Sequence, residues 1–546
     1  MKYATTRNSG IRGSLTHLGR HWQADLTAGF LVFLIALPLC LGVAVASGFP
    51  PMSGVISAIV GGLVVSHING SHLTITGPAA GLIVVILASV QNLGHGDSWA
   101  GYHFTLAAIV MSGLFQLILG YFKAGRLVSF FPSSVVHGML AAIGIIIVTK
   151  QLPVMLGVKV QDAPTILASI AQLWQAQAFF VPKIALIAWL SLIVLVGWPH
   201  LRQPMLNKIP APLLAIVGGI ALGYGFDLNH FQPDSVFKLP AGIDISGPYL
   251  VAVPDSITAS LFLPDFSKIG AFAFWESVLS ITLIGSLETL LSTTAVDKLD
   301  PQQRSSDLNR DLLAIGLGNT ISGMIGGLPM IAEIVRSSAN IDYGAKTRWA
   351  NFFHGGFLLL VVALFPHLLA AIPLASLAAL LVYVGFKLAS PRVFVKSLDI
   401  GKEQLLIFVV TIAGVLASNL LAGVVIGMAA KLLIHLIRGV PLKNLLTISC
   451  RVERQNGDTY VVKLEGSAIF SNIATLKSEL AALPDGMNII FDFTDAYLID
   501  HTVMNFVSTF KTDYAVRGGR CELRGLDNHE SYANHELAAR INKRLG

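Results

Sequence analysis

The chain has 546 residues, of which 54% are hydrophobic and only 12% charged, with a formal net charge of +6. That is too apolar and too poor in charge for a soluble protein of this length, and it places the chain among polytopic membrane proteins. The surplus of lysine and arginine is what the cytoplasmic loops of such a protein carry, so it calls for no nucleic-acid partner.

Residues 1–23 read as a polar leader with Lys2, Arg7, Arg12 and Arg20, and 1–26 are expected to form a cytoplasmic N-terminal segment. The first apolar run is long and no small-residue cleavage site follows it, so it reads as a membrane helix and not as a removed signal. Apolar segments lie near 27–46, 53–67, 77–94, 103–121, 134–150, 181–199, 212–225, 272–292, 312–324, 330–341, 349–370, 372–390, 404–418 and 420–436. Several are shorter than the roughly 20 residues of a full span, so a transport domain over 27–440 with about fourteen segments is expected.

Charge sets the orientation. With the first helix leaving the cytoplasm, the inside loops hold Lys123 and Arg126, Arg202 and Lys208, then Lys298, Arg304 and Arg310, then Lys346 and Arg348, then Lys387, Arg392, Lys396 and Lys402. The outside stretches 94–102 and 366–373 have no lysine or arginine, and 226–271 is acidic, with Asp227, Asp234, Asp244, Asp255 and Asp265. Lys150 and Lys159 are mild exceptions. An even number of crossings places both termini inside, along with Lys431, Arg438 and Lys443 ahead of a more polar tail.

Two features inside the apolar runs carry chemistry. The run AFAFWESVLSITLIGSLETLLSTTAV holds Glu288, and an acid at membrane depth persists only where it lines a polar cavity or finds a partner. Ser292 lies one turn later on the same face. A carboxylate with oxygen neighbours can ligate a hard cation, and a desolvated one can carry a proton. The second feature is paired: Gly77 and Pro78 open the run ITGPAAGLIVVIL, and Gly327 and Pro329 open GGLPMIAEIV. Gly/Pro-interrupted segments at corresponding positions of two halves point to a transporter's binding site. Their helix ends would offer the N–H groups of Ala79, Ala80, Met330 and Ile331 to an anion. The alternative is that these residues only kink packed helices.

The stretches DLTAGFLVFLIALPLCLGVAVASGFPP, HLTITGPAAG, GSLETLLSTTAVD and GLPMIAEIVRSSANIDYGAKTRWANFFHG together resemble the SulP family of anion transporters, and the tail from about Thr447 resembles its STAS domain. The resemblance implies an α-helical polytopic membrane protein with a seven plus seven inverted repeat, a core moving against a gate, and a small cytoplasmic α/β STAS domain over 447–546. It also implies a homodimer in the bacterial inner membrane that carries out secondary transport of small anions such as sulfate, bicarbonate, chloride or dicarboxylates. A membrane enzyme would need a nucleophile and base or a metal cluster; none is apparent in the sequence, and no enzymatic activity is expected. The wording around LPLCLGVA and from VRSSAN to GFKLASP is most like bacterial members linked with carbonic anhydrases, which points to bicarbonate.

By the same resemblance Glu288 matches the acidic position that couples transport to H⁺ or Na⁺, with H⁺ favoured because Na⁺-using members tend to have Asp there, and with a purely structural pairing to Arg336 as the alternative. No cofactor beyond that ion is expected. Arg336 matches a basic position that attracts substrate, with a snorkelling arginine as the alternative. Phe33 and Cys40 fall where the first helix lines the cavity, with packing as the alternative. Glu333 departs from a small or apolar position and reads either as pairing Arg336, three residues on, or as a protonated partner of Glu288. In the tail, Thr502 stands near the family's regulatory serine or threonine, though the Ser-Gly usual there is Thr-Val here. Docking against the dimer mate or a cytoplasmic partner is the expected role. His67, His72, His137 and His354 share no spacing, and no metal site is read. A passive channel and a nucleobase transporter are the competing readings.

Overall fold

The computed structural model describes residues 11–125, 131–160, 169, 171–172, 180–201, 209–231, 243–245, 248–254, 256, 258–445, 447–455, 458–484, 486–516, 518–542 and 544. Of the loop charges named above, Lys2, Arg7, Arg126, Arg202, Lys208, Asp234 and Asp255 lie outside these residues. Among the described residues, eight helices are long and apolar enough to cross a membrane, and three further apolar helices are shorter. The chain divides into two compact units, residues 1–125 with 143–387, and 126–142 with 388–546.

The first unit opens with α1 (Ile11–Ala46), which starts well before the apolar run that predicted it. A tight turn leads to α2 (Pro51–Val60), with proline at its first position where the missing N–H costs nothing. α2 runs into a π-helical turn, Gly61–Val65. The chain then extends as β1 (Ile75–Pro78) before α3 (Ile83–Gly94) and α4 (Ser98–Tyr121). Asp97 caps α4, accepting the N–H groups of Trp99 and Ala100. α5 (Ser133–Met155) contributes its first turns to the second unit and the rest to the first, which continues with α6 (Pro182–Gly197) and α7 (Ala211–Gly225).

The second half repeats the pattern of the first. α8 (Phe272–Leu299) and α9 (Leu308–Met324) lead to the strand β2 (Met330–Glu333), then α10 (Ile334–Asp342), α11 (Trp349–Leu364) and α12 (Leu374–Leu388). In each half, therefore, a two-helix pair is followed by a short strand and a helix. Close helix approach depends on small residues. A Cβ on Gly62 would meet the backbone of Gly355, so α11 seats directly on the π-helical turn. Carboxylates tie the two halves at one end. Asp25 of α1 accepts the N–H groups of Lys346 and Thr347, and Asp311 of α9 accepts those of Gly70 and Ser71 together with the Thr293 hydroxyl.

The second unit holds α13 (Pro391–Ile400), α14 (Lys402–Ala417) and α15 (Leu420–Ile437), then an α/β domain. Its elements are β3 (Ser449–Arg454), β4 (Thr459–Ala468), α16 (Ile473–Ala481), β5 (Asn488–Asp492), β6 (Ala496–Ile499), α17 (His501–Val516), β7 (Arg520–Arg524), β8 (Glu530–Ser531) and β9 (Arg540–Ile541). The sheet order is β8-β9-β6-β4-β5-β7, with β3 antiparallel on β4 and parallel pairing at β6-β4-β5-β7. Val462, Leu464, Phe491, Phe493, Leu476 and Val507 fill its core between sheet and helices. The tail is thus a small α/β domain, as the resemblance implied.

Candidate functional site

The two proline-led turns meet. β1 and β2 pair antiparallel, with Ile75 opposite Glu333, Thr76 opposite Ala332, Gly77 opposite Ile331 and Pro78 opposite Met330. Gly77, Pro78, Ala79, Pro329, Met330 and Ile331 are all buried. Extended backbone at membrane depth must have its polar groups satisfied by protein, and here each strand supplies the other.

Side chains from the opposite half complete the pairing of β1. The Ser337 hydroxyl accepts the Ile75 N–H at 2.9 Å, and Asn351 Oδ1 accepts the Thr76 N–H at 3.3 Å. Asn351 Nδ2 donates to Thr76 Oγ1 at 2.9 Å and to the Gly61 carbonyl at 3.2 Å, which takes up a backbone oxygen of the π-helical turn. Arg336 Nη2 donates to the Pro78 carbonyl at 2.9 Å. β2 is held by α9: Asn319 Oδ1 accepts the Met330 N–H at 2.6 Å while its Nδ2 donates to the Met330 carbonyl at 3.2 Å. Gln116 of α4 orients that amide, its Oε1 accepting from Asn319 Nδ2 at 2.8 Å.

This corrects the expected source of anion-binding N–H groups. Met330 and Ile331 belong to a strand, and α10 begins only at Ile334, because the Met330 backbone finds its partners in Asn319 and has no need of a helical turn. Ala79 and Ala80 do stand at the start of the tight turn that leads into α3. Glu333 is the cap of α10: its Oε2 accepts the Arg336 N–H at 2.8 Å and lies 3.7 Å from Arg336 Nε. The geometry is that of the Arg336-paired reading, and the same carboxylate occupies the positive end of the helix.

Arg336 is fully buried, which the snorkelling alternative does not allow. Its Nε and Nη1 have no hydrogen-bond partner among the described residues, and Nη1 lies against the α-carbon of Gly77, where a Cβ would collide with it. Cys40 and His354, both fully buried, stand within the field of the guanidinium. Glu288 is 6% exposed, and its Oε1 has no hydrogen-bond partner among the described residues. Its carboxylate rests on Gly81, so that a Cβ there would fall on the oxygens. Ser292 is buried one turn further along α8. The five residues 77–81 thus carry an incompletely paired guanidinium at one end and an incompletely paired carboxylate at the other.

Other predicted residues sit differently. Phe33 packs in an aromatic group with Phe30 and Phe357, ring centroids 6.0 Å from each, as its packing alternative describes. His67 packs edge-on against Trp349 and at a tilt against Phe352. Thr502 is half-buried and accepts a hydrogen bond from Lys431 Nζ at 3.0 Å. Lys431, read as one of the cytoplasmic-side basic residues ahead of the tail, is buried within α15. Sequence reading missed Gln116, Asn319 and Asn351, although each is an amide inside an apolar run, the signal that singled out Glu288.

The sequence pattern of the sulfate permease family matches residues 22–411. A putative sulfate transporter, YvdB of Bacillus subtilis, is 25% identical over 463 residues, covering 84% of this chain and 82% of its own length. The transmembrane domain of a cyanobacterial bicarbonate transporter, BicA, superposes with a TM-score of 0.61 at 24% identity, over 75% of this chain and 97% of that one. The murine anion transporter Slc26a9 superposes with a TM-score of 0.66 at 15% identity, over 96% of this chain and 90% of that one. The fold is therefore the seven plus seven inverted-repeat transporter followed by an α/β STAS domain. A family pattern that spans most of the chain, together with paired short strands beside a buried acid and arginine, makes this protein a member of the sulfate permease family, an integral membrane anion transporter.

Proposed function

We propose that the protein is a secondary active transporter of bicarbonate, coupled to H⁺ or Na⁺ through Glu288, with a core domain moving against a gate. The observation that carries this reading is the incompletely paired Glu288 carboxylate and Arg336 guanidinium at the two ends of the 77–81 turn. An acceptor-only acid beside the pathway disfavours a fully deprotonated dianion. Bicarbonate is monovalent, accepts hydrogen bonds from a guanidinium and can donate its one O–H to a carboxylate. With Na⁺ as the coupling ion Glu288 stays ionised and accepts that O–H; with H⁺, the favoured ion, it is protonated while the anion is bound and donates to it instead, which removes the repulsion. Sulfate is the second reading, supported by the naming of relatives such as YvdB; the competing dicarboxylate, exchanger and channel readings are separated by the same experiment.

The orientation we propose has both termini and the STAS domain inside the bacterial cytoplasmic membrane, with the protein a homodimer embedded in lipid, its STAS domain docked on the dimer mate or a cytoplasmic partner. The test is uptake by proteoliposomes of bicarbonate, sulfate, chloride and fumarate, each with imposed H⁺ or Na⁺ gradients. Bicarbonate is expected to accumulate against its gradient in response to one cation. Purely downhill flux would replace the transporter with a channel, and accumulation of sulfate alone would replace the substrate.

A further inference from the structure

Lys431 is 1% exposed in the middle of α15, and a buried ammonium is tolerated only when paired. Its partner belongs to the soluble domain. Nζ lies 3.1 Å from Asp500 Oδ2 and 3.0 Å from Thr502 Oγ1, and 5.1 Å from the centroid of the Phe470 ring. One turn on, His435 Nε2 stands 3.6 Å from the same Asp500 oxygen. Beyond it the Arg438 guanidinium lies 3.7 Å over the Tyr532 ring and pairs with Glu403 of α14, while the Arg438 carbonyl accepts the Tyr497 hydroxyl at 2.8 Å. Positions 431, 435 and 438 form one face of α15, and the soluble domain covers it.

Asp500 is itself held by two backbone N–H groups. Its Oδ1 caps α17 by accepting the Val503 N–H at 2.9 Å, and its Oδ2 accepts the Phe470 N–H at 2.9 Å. Burial alone would push its carboxyl up, but the Lys431 ammonium and His435 hold it well below the ordinary carboxylate range. α15 cannot slide or rotate on the soluble domain without leaving an ammonium unpaired in apolar surroundings.

We infer that Asp500 is a positioning residue for transport: through Lys431 it locks the last membrane helix to the soluble domain, so that the two move as one body. Whatever binds or displaces the soluble domain then acts directly on α15. The functional half of this inference rests on the transport reading; the mechanical half does not.

The experiment uses the full chain with Lys431→Met, Asp500→Asn and the double variant. Asparagine keeps the cap on α17. Each single change is expected to lower the yield of folded protein by stranding a buried charge or polar group, and the double change to restore it. The double variant should still transport about tenfold more slowly, with KM unchanged, since neither residue belongs to the proposed anion site. Wild-type rate and KM in the folded double variant would overturn the positioning role. The mechanical half is read without transport, by spin labels at Leu433→Cys and Thr512→Cys with Cys450 and Cys521 replaced by serine and the fully buried Cys40 left in place. The distance distribution should be narrow with the native pair and broad in the double variant. An equally narrow distribution in both would overturn the lock, and a broadening in the double variant with no measurable uptake by the native chain would fault the transport reading alone.

Discussion

The strand crossing and the α15 lock both place a carboxylate and a cation in apolar surroundings, and they finish the job differently. At the lock, Asp500 meets Lys431 directly and uses its remaining acceptor capacity on two backbone N–H groups. At the crossing, Glu288 keeps an oxygen and Arg336 keeps two nitrogens without a partner among the described residues. Pairing of the first kind fixes geometry. Incomplete pairing of the second kind is costly in an apolar environment and leaves donors and an acceptor ready for a ligand.

The sharpest way to break this comparison is Glu288→Gln. We expect concentrative uptake to fall to background while the thermal transition moves by no more than about 2 °C, within what a tolerated substitution produces. Retained accumulation would place the coupling group elsewhere. Gly81→Ala tests the same carboxylate from the opposite side. Its added Cβ falls on the Glu288 oxygens, so uptake should drop steeply, by about tenfold or more if the displacement costs 1.4 kcal/mol. Normal uptake in that variant would show that the position of the carboxylate does not matter.

Asn319→Ala probes the scaffold under the crossing. It strands the N–H and carbonyl of Met330, which should cost about 1–3 kcal/mol, seen as a lower unfolding temperature in detergent. On the lock side, the depressed carboxyl of Asp500 gives a sign that can be measured. Its stabilising contribution is complete above the ordinary value of 3.8, declines as pH falls below it and is gone once pH passes the lower folded value. The acid limb of a stability profile should therefore flatten in Asp500→Asn. The smallest effect belongs to Phe33→Leu, under about 1.5 kcal/mol with KM unchanged, as befits a residue packed among aromatic rings.

Much of the membrane portion was legible because periodicity and charge are local. Glu288 stood out as an acid in an apolar run, and the boundaries of α6, α7 and α15 fell within a residue or two of their apolar segments. Pairing was not legible. Four-residue strands embedded in apolar helical runs have no signature of their own, so Met330 and Ile331 read as helix. The cap made by Glu333 and the amides Asn319 and Asn351 depend on which backbone groups are left over, which only the fold decides. Lys431 and Asp500 lie 69 positions apart by number, and nothing local in either stretch announces the other.

The strand pairing has a consequence for biogenesis. Pro78 receives its Arg336 hydrogen bond from a residue 258 positions later, so β1 enters the bilayer long before its mate has left the ribosome. Until then its peptide groups must be sheltered by water, lipid headgroups or the insertion machinery, since hydrocarbon offers them nothing. Neither half of the chain can therefore mature alone, and the last event in assembly is the closing of a seam between them.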